Sequence, residues 1–157
     1  MIEVAVLGTI AGSLAAWAAA EFLHSRALWT VGAAPALAHS AAAFAVFHDW
    51  SHDRAMIATA QQTAAVTGLD WGGGLFFNYA FLLVWVADVM WWWIAEGSHE
   101  ARPRAIDFLI RGFLFFMFFN GAIVFADGFM RVIGIVAVAI VGVSWLMRSL
   151  AQTVPAR

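Results

Sequence analysis

Residues 129–148 read FMRVIGIVAVAIVGVSWLMR, and no charge falls between Arg131 and Arg148. About 20 residues at 1.5 Å each cross a hydrocarbon layer roughly 30 Å thick. An apolar run of that length is too long for a core helix of a soluble protein. It reads as a membrane span. Four more runs of the same kind precede it, at 4–23, 28–48, 73–95 and 105–126. Their ends are set to about 2–4 residues.

Composition agrees with the runs. Hydrophobic residues make up 64% of the 157 and charged residues 11%, against roughly a quarter charged in soluble domains. A soluble chain of this size could not hide so much apolar surface, so lipid must solvate it. The expectation is an all-α integral membrane bundle of about five transmembrane helices, forming one domain over 1–157. No repeat or linker interrupts it.

Arginine placement gives an orientation. Arg26, Arg102, Arg104, Arg111, Arg148 and Arg157 fall on one side of the spans, and Arg54 and Arg131 on the other. The positive-inside rule then places the N-terminus outside, the C-terminus in the cytoplasm and the loop 49–72 outside. The expected location is a bacterial-type inner (plasma) membrane. Trp50 and Trp71 fall at the outer boundary, with Trp29, Trp91, Trp92, Trp93 and Trp145 near the inner one, as an aromatic belt would. The opening Met1-Ile2-Glu3 lacks the basic start of a secretory leader, so the first span is read as retained.

Within the long loop, Ser51 can cap a short helix that Gly68 would end, with Asp53 in its first turn. Met56, Ile57, Ala60 and Ala64 share one face opposite Gln61, Gln62 and Thr63, which suits an amphipathic helix on the outer surface. The glycines 72–74 that follow read as a flexible return into the third span. No Lys-Ser/Thr follows them, so they form no phosphate loop. In the first span, Gly8, Gly12, Ala16 and Ala20 form a smooth stripe suited to close helix packing.

Several chemistries are excluded by residue type. The chain has no cysteine and no lysine, which removes disulfides, thiolate metal sites and Schiff bases. A net charge of −2 with no basic run argues against nucleic acid. Ser13, Ser40 and Ser144 are isolated within spans and are expected to bond their own backbone. With no nucleophile arrangement, the chain reads as a non-enzyme sooner than as an enzyme.

Two polar clusters and a few intramembrane groups remain. At the outer end, His48 and His52 lie at i and i+4 if the second helix continues through them, a spacing that lets two imidazoles share a transition metal. Asp49 and Asp70 are the candidate carboxylates. The competing reading is a solvated helix end. At the inner end, Glu21/His24 and Glu96/His99 are two Glu-x-x-His pairs, the arrangement di-iron carboxylate bundles present inward. The competing reading is a membrane boundary collecting polar groups, since Gly97, Ser98 and Pro103 suggest that the third span is already ending. His39 sits near mid-span and is either a haem ligand or a neutral histidine bonded to a carbonyl or hydroxyl. Asp88 and Arg111 fall at similar depth on adjacent antiparallel spans and are expected to pair. Asn78, Tyr79 and Asn120 form a polar layer expected to tie helices together.

The pattern points first to an accessory or structural subunit of a membrane complex, held in the lipid bilayer beside other membrane subunits or copies of itself. A small metal- or haem-binding redox protein is the first alternative. An oligomeric transporter or channel is the second.

Overall fold

A computed structural model describes residues 2–153, with side chains from 6 to 151. Met1, the Glu3 side chain and Arg157, all used above, lie outside this description. The described residues are helical without a strand: α1 (Ile2–Leu23), α2 (Arg26–Phe47), α3 (His52–Thr67), α4 (Gly74–Ile94), α5 (Glu96–Glu100), α6 (Arg104–Phe119) and α7 (Gly128–Thr153). A π turn at Asn120–Val124 extends α6. Five of these helices are long and apolar enough to cross a membrane. Their ends match the expected runs closely, except that α7 continues five residues beyond 148.

The ends are made by local chemistry. Ser25 accepts from the Leu28 amide at 3.3 Å and starts α2 two residues after α1 stops. Ser51 caps α3 by accepting from the Arg54 amide. Gly68, with φ of 79°, ends it in the left-handed conformation that glycine adopts without a Cβ clash. Pro35 lies inside α2 without ending it.

Aromatic and small residues share the core. Trp17 of α1, Trp29 of α2, Trp85 of α4 and Phe118 of α6 pack with Leu14, Ala33, Ala36, Leu114, Ala137 and Val141. The Trp17 and Phe118 rings lie 4.5 Å apart, and Trp85 meets Phe118 edge-on at 5.7 Å. Helix α1 packs chiefly against α2 and α7, while α4 packs against α2 and α6.

Close approaches depend on glycine at places other than the expected stripe. Gly8 and Gly12 face open space, so only Ala20 of that stripe is buried. The tight contact is Gly32, where a Cβ would stand 2.8 Å from the Trp85 ring and 3.3 Å from the Trp17 amide. The Ser13 hydroxyl donates to the Gly32 carbonyl at 2.8 Å, and the Ser144 hydroxyl to the Glu21 carbonyl at 3.3 Å. Both serines therefore stitch neighbouring helices instead of bonding their own.

The segment 72–74 is likewise a contact, not a slack return. A Cβ on Gly72 would meet the Met56 carbonyl, and one on Gly74 would come within 3.1 Å of Thr59 Cγ2. These glycines let α3 lie on the start of α4. Its inward face centres on Ala55, whereas Ile57, expected on the apolar face, is 58% exposed.

At the other link, the buried Ala122 carbonyl of the π turn lies where a Gly134 Cβ would stand. Because that obstacle is backbone, Gly134→Ala is expected to cost about 1–3 kcal/mol, the usual range for overpacking. A lowered unfolding midpoint in detergent would show it. Gly142→Ala, where the added methyl meets open space, should leave the midpoint unchanged.

Candidate functional site

Charged side chains gather at the end of the bundle where α1, α4 and α7 finish and α6 begins. Asp88 of α4 is 2% exposed and Glu21 of α1 is 0% exposed. An isolated charge that deep is costly, so each needs partners. Asp88 Oδ1 accepts from Arg102 Nη1 at 2.6 Å and lies 3.2 Å from His99 Nε2, while Oδ2 accepts from Trp29 Nε1 at 2.9 Å. Arg102 reaches onward to Asp107, which Arg111 Nε also contacts at 2.8 Å. Arg111 Nη1 stands 2.7 Å from Glu21 Oε1. Glu21 Oε2 accepts from Trp145 Nε1 at 3.0 Å and pairs with Arg148 Nη2 at 3.4 Å. Arg148 ends against His24.

The result is a ladder of alternating sign: Asp88, Arg102, Asp107, Arg111, Glu21, Arg148. Three carboxylates face three guanidiniums, so the buried end carries no net formal charge. It joins α1, α4, α6 and α7, and α2 enters through the Trp29 indole. A side pair, Arg26–Glu96 at 2.9 Å, ties the start of α2 to α5, with the Arg26 guanidinium 4.1 Å over the Trp93 ring.

This geometry corrects several expectations. Asp88 and Arg111 do not pair with each other. Arg102, on a long flexible stem in the α5–α6 link, reaches Asp88 instead, and Arg111 turns to Glu21 and to Asp107 one helical turn away. The two Glu-x-x-His pairs do not converge either. Helix α1 stops at Leu23, and His24, at φ of 53°, sits in the left-handed turn beyond it. Helix α4 stops at Ile94, so Glu96 and His99 belong to α5. Glu21 and His24 meet Arg148, Glu96 meets Arg26, and His99 folds back onto Asp88 with its ring stacked 4.5 Å from Trp92. Every carboxylate oxygen of Glu21 and Asp88 has a cation or an indole beside it. Among the described residues, no group of three or more His, Asp or Glu side chains is placed to hold a metal ion.

The outer candidate fails for a related reason. Helix α2 ends at Phe47 and α3 begins at His52, so His48 and His52 do not share a helical face. His48 packs edge-on against Phe44, and His52 Nδ1 lies 3.0 Å from the Tyr79 hydroxyl. Asp49 pairs with Arg54, and Asp70 is exposed on the α3–α4 link. The intervening Asp49 and Trp50 both adopt positive φ, 47° and 57°, at a cost of roughly 1–2 kcal/mol each for residues with a Cβ.

His39 is held by a carbonyl and a hydroxyl: its Nδ1 lies 3.0 Å from the Val6 carbonyl and 3.5 Å from Thr9 Oγ1. In the expected polar layer, Asn120 donates to the Phe116 carbonyl of its own helix and Asn78 is exposed on α4. Only Tyr79 links two elements. The chain matches no protein-family model, no curated protein and no solved structure.

The sequence reading missed Arg102 and Arg148 as ladder members, and it placed Trp29 and Trp145 in a lipid belt. One signal was present. Glu21 and Asp88 lie inside apolar runs, and a buried carboxylate demands donors within reach.

Burial, and next the neighbouring Arg102, lower the pKa of His99 below its ordinary value, and burial with Arg148 does the same for His24. The unfolded chain therefore binds protons more readily than the folded one just below the ordinary histidine range. Stability is full above about pH 6.5 and falls as acid protonates the unfolded imidazoles. The unfolding midpoint is expected to drop between about pH 7.5 and pH 5.5, and His99→Gln should flatten that slope. An unchanged slope would remove His99 from this account.

Proposed function

We propose that this chain is a multi-pass protein of a bacterial-type inner membrane, with its N-terminus outside and the ladder end in the cytoplasm, acting as an accessory or structural subunit of a membrane complex. The carrying observation is that the charged groups of the ladder pair with one another across four of the long helices. Charges paired in this way hold helix ends in register, and among the described residues no group of three or more His, Asp or Glu side chains converges to hold a metal ion. Support for the bilayer comes from the flanks. Phe108, Leu83, Ile94 and Phe129 are 70% exposed or more, with many others, in an amount that water would not tolerate on a lone soluble domain.

The redox reading needs converging ligands, and the Glu-x-x-His pairs are instead spent on arginines. The transport reading needs Asp88, Arg111 and His39 along one path. His39 bonds α1 from mid-span of α2, whereas the other two belong to the ladder.

Two measurements test the proposal. In native membranes opened with a mild detergent, the protein should migrate in a particle larger than its own detergent complex. Migration alone as a monomer contradicts the subunit role. Because the chain has no cysteine, Gln61→Cys and Glu100→Cys give single reporters of orientation. An impermeant maleimide should label the first in intact spheroplasts and the second only after permeabilisation. The reverse pattern would invert the topology.

A further inference from the structure

His99 lies between two groups of opposite sign, the Asp88 carboxylate of α4 and the Arg102 guanidinium of the α5–α6 link. Arg102 Nη1 touches both, reaching Asp88 Oδ1 at 2.6 Å and also His99 Nε2. That nitrogen carries two hydrogens on a guanidinium that is always charged, so it donates one to each neighbour. A neutral imidazole can accept there only with Nε2 bare, which puts the ring hydrogen on Nδ1. One proton added at Nε2 reverses this. The nitrogen becomes a donor and opposes the Arg102 N–H, and Asp88 Oδ1 stands 3.2 Å away as its acceptor.

Packing decides which partner moves. The His99 ring is stacked on Trp92, with centres 4.5 Å and planes 13° apart, and Trp91 meets it edge-on at 5.5 Å. An indole face attracts a charged ring more than a neutral one, so protonation holds His99 in place. Arg102 has a rotamer-rich stem and a second carboxylate within reach, since its Nε donates to Asp107 Oδ1 at 3.0 Å. The other charges around the ring are already engaged. Arg111 of α6 pairs with Glu21 and Asp107, and Arg26 of α2 pairs with Glu96 at the start of α5.

We propose that His99 is a proton-operated latch on the α5–α6 link: neutral, it accepts from Arg102 and keeps that guanidinium on Asp88; protonated, it donates to Asp88 itself and leaves Arg102 with Asp107 alone. The proton comes from the aqueous phase at this end, where the adjoining Glu100 and Ala101 are exposed. In the neutral state Arg102 joins α4 to α6 through Asp88 and Asp107. In the protonated state α5 is tied to α4 directly, and the start of α6 is released from α4. Deeper in the bundle, Phe81 and Trp85 of α4 keep their ring contacts with Phe118 of α6, so the motion is confined to the link and the first turn of α6. Burial, then Arg102, with Arg111 adding to them, hold the His99 pKa below its ordinary value although Asp88 acts to raise it. The exchange therefore takes place below about pH 6.5. The latch uses only ladder contacts and is independent of the subunit role.

The test uses the full chain in detergent, isotope-labelled at its histidine nitrogens and carrying a nitroxide on Arg104→Cys, an exposed position at the start of α6 in a chain without cysteine. At about pH 8 the His99 ring should give the nitrogen NMR shifts of the Nδ1–H tautomer, with Nε2 bare. On acidification the ring should titrate in one step, and the nitroxide should become about twofold more mobile with the same midpoint. His99→Gln offers Arg102 an acceptor that takes up no proton, so the label should keep its starting mobility throughout. The tautomer and the shared midpoint are both read with His99 in place, so they decide the matter even where His99→Gln folds poorly. An Nε2–H tautomer at the starting pH, or a label whose mobility stays constant through the His99 midpoint, would overturn the latch.

Discussion

Arg111→Met is expected to lower the unfolding free energy of the detergent-solubilised protein by about 3–5 kcal/mol, the range for breaking a buried ion pair by removing one partner. Arg111 stands between Glu21, which is 0% exposed, and Asp107. Without it, Glu21 Oε1 keeps no cation, and a carboxylate buried in low dielectric loses most of what offset its desolvation. The side chain is 17% exposed, so water screens the pair only slightly. Arg131→Met is the matching control. Its partner Asp127 is 93% exposed, and an exposed pair contributes less than about 1 kcal/mol. Equal losses from the two substitutions would contradict the ladder.

The second large effect is expected at Arg102. Its side chain is 4% exposed although it comes from a link between helices, and it contacts Asp88, His99 and Asp107. Arg102→Met leaves Asp88 with the Trp29 indole and His99, and a loss of about 3–5 kcal/mol follows by the same reasoning. A second readout separates this from simple damage to packing. Arg102 is one of the groups holding the His99 pKa down, whereas Asp88 acts to raise it. Removing the arginine should therefore move the His99 titration upward and weaken the loss of stability on acidification. NMR titration of the imidazole reads the shift directly. An unchanged titration would mean that burial, not Arg102, governs His99.

The contrast between spans and site shows which physics a sequence carries locally. The run 129–148 and its four counterparts were legible because hydrocarbon thickness imposes a length, and apolarity over that length is a one-dimensional signal. Ser51 and Gly68 were legible for the same reason, since a cap is made by neighbours in sequence. The ladder was only half legible. Asp88 and Arg111 stood out as charges within apolar runs and Glu21 as part of a Glu-x-x-His pair, but their partners depend on where α5 turns back and on how far the stem of Arg102 reaches.

Short motifs misled where a helix ended inside them. Glu21 and His24 have ligand spacing only if α1 continues past Leu23, and His48 and His52 share a face only if α2 continues past Phe47. In each case a non-glycine residue at positive φ breaks the helix, His24 in one and Asp49 with Trp50 in the other. Tryptophan misled differently. Trp29 and Trp145 have the position of belt residues, yet their indole N–H groups serve buried carboxylates. The glycine stripe of α1 failed because spacing along one helix does not say which face its neighbour takes.

The most direct measurement of the central claim, that the ladder is an internal clamp between spans, is a double-mutant cycle on Glu21→Leu and Arg111→Met, read as unfolding free energy in one detergent. The account predicts that the double variant loses less than the sum of the single losses, with a coupling of about 1–3 kcal/mol, because removing both charges leaves neither buried alone. Losses that add to within about 0.5 kcal/mol would mean that the two side chains do not hold each other, and the clamp would be contradicted.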